Sequence, residues 1–448
     1  MGTMIRSKIF LLLIFGFLVQ GVLNGQDSWN LKRCILFAIA NNIGLKKMEI
    51  LEELASEDLN QAKRNLLPGL SASSGAGFSF GRSVDPNTND IINTEFFNNS
   101  YDLGASFILF DGFRLINQIE YQKYRKRASE LNRLNATDEL AFRVMNSYFD
   151  LIYYQGLLEI CKKQVEASHL NLRKMEKQVE LGLKSGMDLL EMRANFEAEE
   201  LRRIQVENSL KTAQLQLKQS MNLAEAGDLA IEPVAGVPVM SEKQDPQNLF
   251  ASYTRWSPYF LSFEAQLQAS RKALAISRSQ LYPSVNTFGS VGTGFFETTK
   301  DNMGKTIGFS TQLDNNLSQY LGASVSIPIF SRWEIRSSVK KAKLQVDQSK
   351  RTMEEEKQKL YFEMAGHLNE LESLEKEYRQ NLRQSEADQQ AFQAAEKKFD
   401  QGLISVVDFY LAKNRLANSG SQVLKARLQW EIRKKALDFY SGKRFWEE

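Results

Sequence analysis

Two stretches of this chain, VELGLKSGMDLLEMRANF from Val179 to Phe196 and FDQGLISVVDFYLAKNRL from Phe399 to Leu416, carry glycine, leucine, serine and aspartate in the same order, 220 positions apart. More twins flank them: LLPGLSAS at Leu66 to Ser73 answers LYPSVNTF at Leu281 to Phe288, and LGAS recurs at Leu103 and Leu321. A chain that repeats a unit in this order must build its fold from two copies of that unit. The spacing predicts a first repeat over 26–221, a linker over 222–246 that holds Gly227, Pro233, Gly236, Pro238 and Pro246, and a second repeat over 247–448. Each copy reads as helix, two β segments, very long helix, bend, helix.

At each bend the residue types have a local reason. Gly182 and Gly402 are placed to end a helix in the left-handed conformation. Ser185 with Asp188, and Ser405 with Asp408, have the Ser-x-x-acid spacing of a capping box that restarts one. The bends therefore span 182–188 and 402–408, with Leu183 and Leu403 following the glycines. Within each repeat the chain runs long: Phe113 to Leu181 and Arg332 to Gln401 hold no proline, and each would extend about 100 Å as a helix. Leu360, Met364, Leu368, Leu371, Leu374, Tyr378 and Leu382 step by three and four along the second of these, a stripe to be buried against neighbouring helices. The stripe Leu140, Val144, Tyr148, Leu151, Tyr154, Leu158, Cys161 and Val165 does the same in the first.

Before each long helix the period changes to two. Ala72, Ser74, Ala76, Phe78 and Phe80 alternate with Ser71, Ser73, Gly75, Gly77 and Ser79, and Tyr101, Leu103, Ala105, Phe107 and Leu109 alternate with Asp102, Gly104, Ser106 and Ile108. The second copy keeps the phase, with Val285, Thr287, Val291, Thr293 and Phe295, then Leu321, Ala323, Val325, Ile327 and Ile329. Strands are predicted over about 70–81, 101–110, 285–296 and 319–330, joined by polar loops at Arg82 to Ser100 and Glu297 to Ser318. Alternation of small polar with apolar residues over about 10 positions marks a membrane β-barrel strand, one face to lipid and one to water. Four strands cannot close a barrel, and an open edge in hydrocarbon is prohibitively costly, so a spanning sheet requires subunits that share one barrel. The same alternation also suits a soluble sheet packed on helices; the alternative is then a secreted periplasmic coiled-coil structural protein, recovered without detergent.

The N-terminus supports export. Arg6 and Lys8 precede the apolar run Ile9 to Val19 and a Gly25-Gln26 junction, the pattern of a secretory signal peptide over 1–25. With 57 basic and 54 acidic residues interspersed along helical stretches, nothing points to nucleic acid. Cys34 and Cys161 belong to no metal-spaced motif, and Cys161 sits on a helical stripe as a packing residue, with a disulfide left open. His169 and His367 lie within long helices, without a His-x-x-x-His pair, and no nucleophile or phosphate-loop motif accompanies them. No enzyme, metal or cofactor is expected.

With the paired bends, the helix-ending Leu-Leu-Pro68 and Leu-Tyr-Pro283, and LFDG at Leu109 to Gly112 answered by IFSR at Ile329 to Arg332, the mature chain resembles the TolC-like outer-membrane efflux proteins. That resemblance implies an α+β fold: long antiparallel coiled-coil helices forming an α-barrel tunnel, with four transmembrane β-strands per chain contributing to a trimeric 12-stranded β-barrel. It implies a homotrimer in outer-membrane lipid with a long periplasmic extension, serving as the exit duct of a tripartite efflux or type I secretion system. A periplasmic adaptor would dock on the hairpin tips, at Gly182, Leu183, Ser185, Asp188, Gly402, Leu403 and Ser405, and an inner-membrane pump would supply the energy. Asp408 falls on a constricting position of the tunnel entrance, and Leu411 stands where the best-known relatives carry a second aspartate. Phe409, Tyr410 and Leu411 are expected to pack the closed entrance. The cargo is not specified.

Overall fold

Our computed structural model describes residues 28–84, 89–93, 95–224, 229–233, 238 and 244–447. The expected leader over 1–25 lies outside the described residues, as do 225–228, 234–237 and 239–243 of the expected linker.

The chain opens with helices α1 (Leu31–Asn41) and α2 (Ile43–Arg64), then strands β1 (Gly69–Ser79), β2 (Arg82–Val84), β3 (Ile91–Asn93) and β4 (Phe96–Phe110), the long helix α3 (Arg114–Glu180) and helix α4 (Gly186–Met221). Helices α5 (Pro246–Trp256) and α6 (Pro258–Ser279), strand β5 (Ser284–Phe296), the short helix α7 (Phe309–Asn315), strand β6 (Ser318–Ser326), the long helix α8 (Glu334–Asp400) and helix α9 (Val406–Tyr440) complete it. Helices α3 and α8 are each 67 residues without a break. Side-chain caps set several starts: Asn30 accepts from the Arg33 N–H before α1, and Asp245 accepts from the Gln247 N–H before α5, with Pro246 in the first turn.

The chain divides into two compact units. One holds Met1–Lys47, Leu134–Ser257 and Gln358–Glu448, and is mainly helical among the described residues; the other holds Met48–Arg133 and Pro258–Lys357, and contains the sheet. In the helical unit, the stripes of α3 and α8 bury as their spacing requires. Leu140, Val144, Tyr148 and Leu151 meet Leu360, Met364, Leu371 and Leu374 in one core, together with Trp430 and Leu437 of α9. Leu382, the last residue of the expected α8 stripe, is exposed. Cys34 and Cys161 are both free and buried, which closes the question of a disulfide between them.

In the other unit β1, β4, β5 and β6 form one antiparallel sheet in that order. The central pair, β4 with β5, joins the two repeats. One row across the sheet reads Ser73, Asp102, Gly292, Ser318, and the row beside it on the same face reads Ser71, Gly104, Ser290, Tyr320. The opposite face carries Leu70, Ala105, Gly289, Leu321 and Ala72, Leu103, Val291, Gln319. Small polar residues thus dominate one face, with Phe288 and Tyr320 as exceptions, and apolar residues dominate the other, with Gln319 as an exception, following the parity of the sequence. The outer strands β1 and β6 each keep one edge that no described strand covers.

Several expected boundaries move. The fourth strand, expected to reach residue 330, ends at Ser326, because Pro328 has no N–H for a ladder bond. The first, expected to reach residue 81, ends at Ser79, and Gly81 turns the chain at φ 98°. The second starts at Phe96 rather than 101, since Phe96 to Ser100 already pair with β1. The polar loops carry structure of their own: β2 pairs with β3, and α7 is pinned to β5 by the buried Gln312, whose side chain bonds the N–H and C=O of Phe296.

Both strand-to-helix corners are left-handed. Gly112 and Phe113 have φ 68° and 65°; their twins Arg332 and Trp333 have φ 50° and 65°. Helix α8 consequently begins at Glu334, two residues after the expected start.

Candidate functional site: the paired bends

The two bends lie in the helical unit and end their helices identically. Gly182 and Gly402 sit at φ 71° and 74°. The Gly182 N–H donates to the Val179 carbonyl (3.0 Å) and the Leu183 N–H to that of Gln178 (2.8 Å). At the second bend Gly402 donates to Phe399 (2.9 Å) and Leu403 to Lys398 (2.8 Å). These paired bonds are the Schellman arrangement, which satisfies the last carbonyls of α3 and α8.

The restarts differ. Before α9, the Ser405 Oγ accepts from the Asp408 N–H (3.1 Å) and donates to the Asp408 carboxylate (2.8 Å), so the expected serine–acid partnership forms there. Before α4, the Ser185 Oγ instead accepts from the Met187 N–H, one position earlier than a capping box requires (3.1 Å).

Behind the bends lies a small core of Leu172, Met175, Met192, Val406, Phe409 and Tyr410, with Phe399 stacked on Phe409 at 4.6 Å. Of the three residues expected to pack the closed entrance, Phe409 and Tyr410 are buried within their own chain rather than presented at its surface. Their neighbours do face outward. Asp408 is exposed, and Leu411 is 50% exposed. So are Leu181, Leu183 and Met187 at the first bend and Leu403 and Val407 at the second, an apolar surface that nothing in the chain covers among the described residues.

Sequence reasoning missed the polar contact that ties the second bend to the first repeat. Lys413, one step along the buried stripe Val406, Phe409, Tyr410 of α9, places its Nζ 3.0 Å from both carboxylate oxygens of Glu199 on α4. The same ammonium donates to the Gln164 carbonyl on α3 (2.8 Å) and to the Ser168 hydroxyl, which in turn lies 3.2 Å from the Tyr410 hydroxyl. Burial pushes the Lys413 ammonium below its usual range, against the opposing pull of Glu199, and pushes the Tyr410 phenol up to about 12. With its donors committed to these acceptors, Lys413 acts as a brace across three helices. A cavity of about 290 Å³ opens beside it, lined by Cys161, Asn195, Arg202 and Asn418 among others. The only signal in the sequence was a lysine on an apolar helical face; its twin, Arg193, makes an exposed ion pair with Glu176.

Among the described residues no group of three His, Cys, Asp or Glu could hold a metal ion, and no helix is long and apolar enough to cross a membrane.

A family model described as "Outer membrane efflux protein" matches residues 36–223 and again 256–443, two stretches that start 220 residues apart, like the bends. The chain is 20% identical over 328 residues to the alkaline protease secretion protein AprF of Pseudomonas aeruginosa, covering 72% of this chain and 66% of AprF. It is 22% identical over 434 residues to the outer membrane protein TolC of Escherichia coli, covering 95% of this chain and 84% of TolC. Its fold matches the CmeC outer membrane channel of Campylobacter jejuni with a TM-score of 0.79 at 18% identity, over 94% of this chain and 87% of CmeC.

Proposed function

Because the chain belongs to the outer membrane efflux protein family, and is an outer-membrane channel of the α+β tunnel fold, we propose that it is the passive exit duct of an envelope-spanning export system. Its relatives are channels, and we infer that this chain too moves molecules without transforming them. The observation that supports the duct is the sheet of β1, β4, β5 and β6: one face mainly of small polar residues, one mainly apolar, and two outer edges that no described strand covers. In lipid those edges require strands from other copies, and three copies supply the twelve strands of a closed barrel. The partners are a periplasmic adaptor, for which the exposed leucines, Met187 and Val407 of the bends offer the docking surface, and an inner-membrane pump. AprF's name ties it to secretion of a protease; the cargo here is set by the pump. The leader over 1–25 directs the chain out of the cytoplasm. At the tunnel entrance, Asp408 and Leu411 form the constriction.

Extraction and conductance test this reading together. The protein is expected to leave the membrane fraction only in detergent, to cross-link as three copies, and to form pores in a planar bilayer. Recovery as a soluble monomer would return the chain to the coiled-coil structural alternative.

A further inference from the structure

The four strands of the sheet carry one charged side chain between them. β1, β5 and β6 contain no Asp, Glu, Lys or Arg, and β4 contains Asp102 alone. Asp102 lies on the small-residue face, in the row with Ser73, Gly292 and Ser318, and it is exposed. The site is shaped around it: a Cβ built on Gly292, directly across the ladder, would meet the Asp102 Oδ1 at 2.7 Å, so the carboxylate occupies the space that glycine leaves open.

A carboxylate in a strand of this kind cannot face hydrocarbon, and an ionisable residue at membrane depth marks a functional position rather than a packing one. No basic residue lies on any of the four strands to neutralise it. We infer that Asp102 projects into the water-filled lumen of the barrel, where one copy from each subunit makes the lumen selective for cations and for the cationic end of larger cargo. This rests on the duct reading and on its trimer, and adds to it a chemical preference located far in sequence from the bends. Rings of acidic side chains favour cations in other pores by the same long-range attraction. The effect weakens as salt shortens the screening length, so the preference is largest at low ionic strength.

The experiment is the zero-current potential of the full-length protein in a planar bilayer across a KCl gradient. Three variants accompany the parent: Asp102→Asn, Asp102→Lys and, as a control for the aspartate proposed at the tunnel entrance, Asp408→Asn. The parent is expected to favour potassium over chloride, more so in dilute salt. Asp102→Asn should lose most of that preference, Asp102→Lys should reverse it, and Asp408→Asn should retain the part carried by Asp102. Pores whose potential is unchanged by both Asp102 substitutions, or whose preference vanishes with Asp408→Asn alone, would overturn this inference and leave the duct standing. A parent that forms no pore would overturn the duct reading, and this inference with it.

Discussion

Asp138 on α3 is buried at 5% exposure, its Oδ1 lacks a hydrogen bond, and the nearest countercharge is the Arg444 guanidinium at 3.7 Å. Burial pushes its carboxyl up to about 6, with Arg444 pulling it down and Glu447 and Glu139 adding to the rise. A folded-state value above the unfolded one means that this group's contribution to stability is full below about pH 4 and is lost as pH rises through about 6. The unfolding temperature in detergent should therefore fall between about pH 4 and 6, and Asp138→Asn should flatten that slope, stabilising the protein at neutral pH by up to about 2 kcal/mol. An equal slope in parent and variant would assign the dependence to other groups. The Lys413 brace predicts the opposite sign. Glu199→Gln leaves a buried ammonium without its counterion and should cost about 3 kcal/mol, whereas Lys413→Met combined with Glu199→Leu should cost less than that single change, as measured by chemical unfolding. Neither group could be singled out beforehand. Asp138 and Lys413 read as ordinary helical charges until distant segments, the C-terminal turn at Arg444 and helix α4 at Glu199, close over them.

The corners and bends are where local sequence and local structure can be compared as elements. Gly112 and Arg332 occupy the same left-handed place in the two repeats, yet only one is glycine. A Cβ on Gly112 would come within 2.5 Å of the Ser279 carbonyl, so Gly112→Ala should destabilise strongly, while Arg332→Gly should stabilise by about 1 kcal/mol by relieving an unfavourable φ. Thermal unfolding of the two variants checks both directions. The pair LFDG and IFSR announced a shared corner, but a left-handed arginine and tryptophan have no signature in residue type, because the strand-to-helix connection imposes the conformation. At the bends the sequence was more informative: glycine, serine and acid at their spacing placed both helix ends and both restarts. It did not distinguish their exposed from their buried neighbours. With Phe409 and Tyr410 packed inside, the constriction proposed at the second bend rests on Asp408 and Leu411. Replacing both by serine should raise single-channel conductance, and the matching change at Asp188 and Glu191 should alter it less. Equal conductance in both double variants and the parent would put closure elsewhere in the tunnel.

At the scale of the whole molecule, duplication does not mean two independent halves. The main core takes Ile35, Val144 and Leu217 from the first repeat and Met364, Trp430 and Phe439 from the second, and the sheet's central pair, β4 with β5, crosses between repeats. Residues 26–240 expressed alone should therefore fail to fold, while co-expression with residues 241–448 should restore detergent-extractable protein. A stable, cooperatively unfolding first half would show that each repeat closes its own core. What the amino-acid order settled were the features carried by short-range periodicity: the repeat, the helical stripes, the two-residue alternation of the strands, the glycine stops and serine starts. Each depends on residues a few positions apart, whose backbone preferences act whatever the rest of the chain does. What tertiary structure alone decided were the contacts between distant segments, the pairing of β4 with β5 and the 214-residue reach from Lys413 to Glu199, together with the burial of Phe409 and the left-handed corner at Arg332. Those outcomes depend on which surfaces remain to be covered once the helices have packed, a condition that no local pattern encodes.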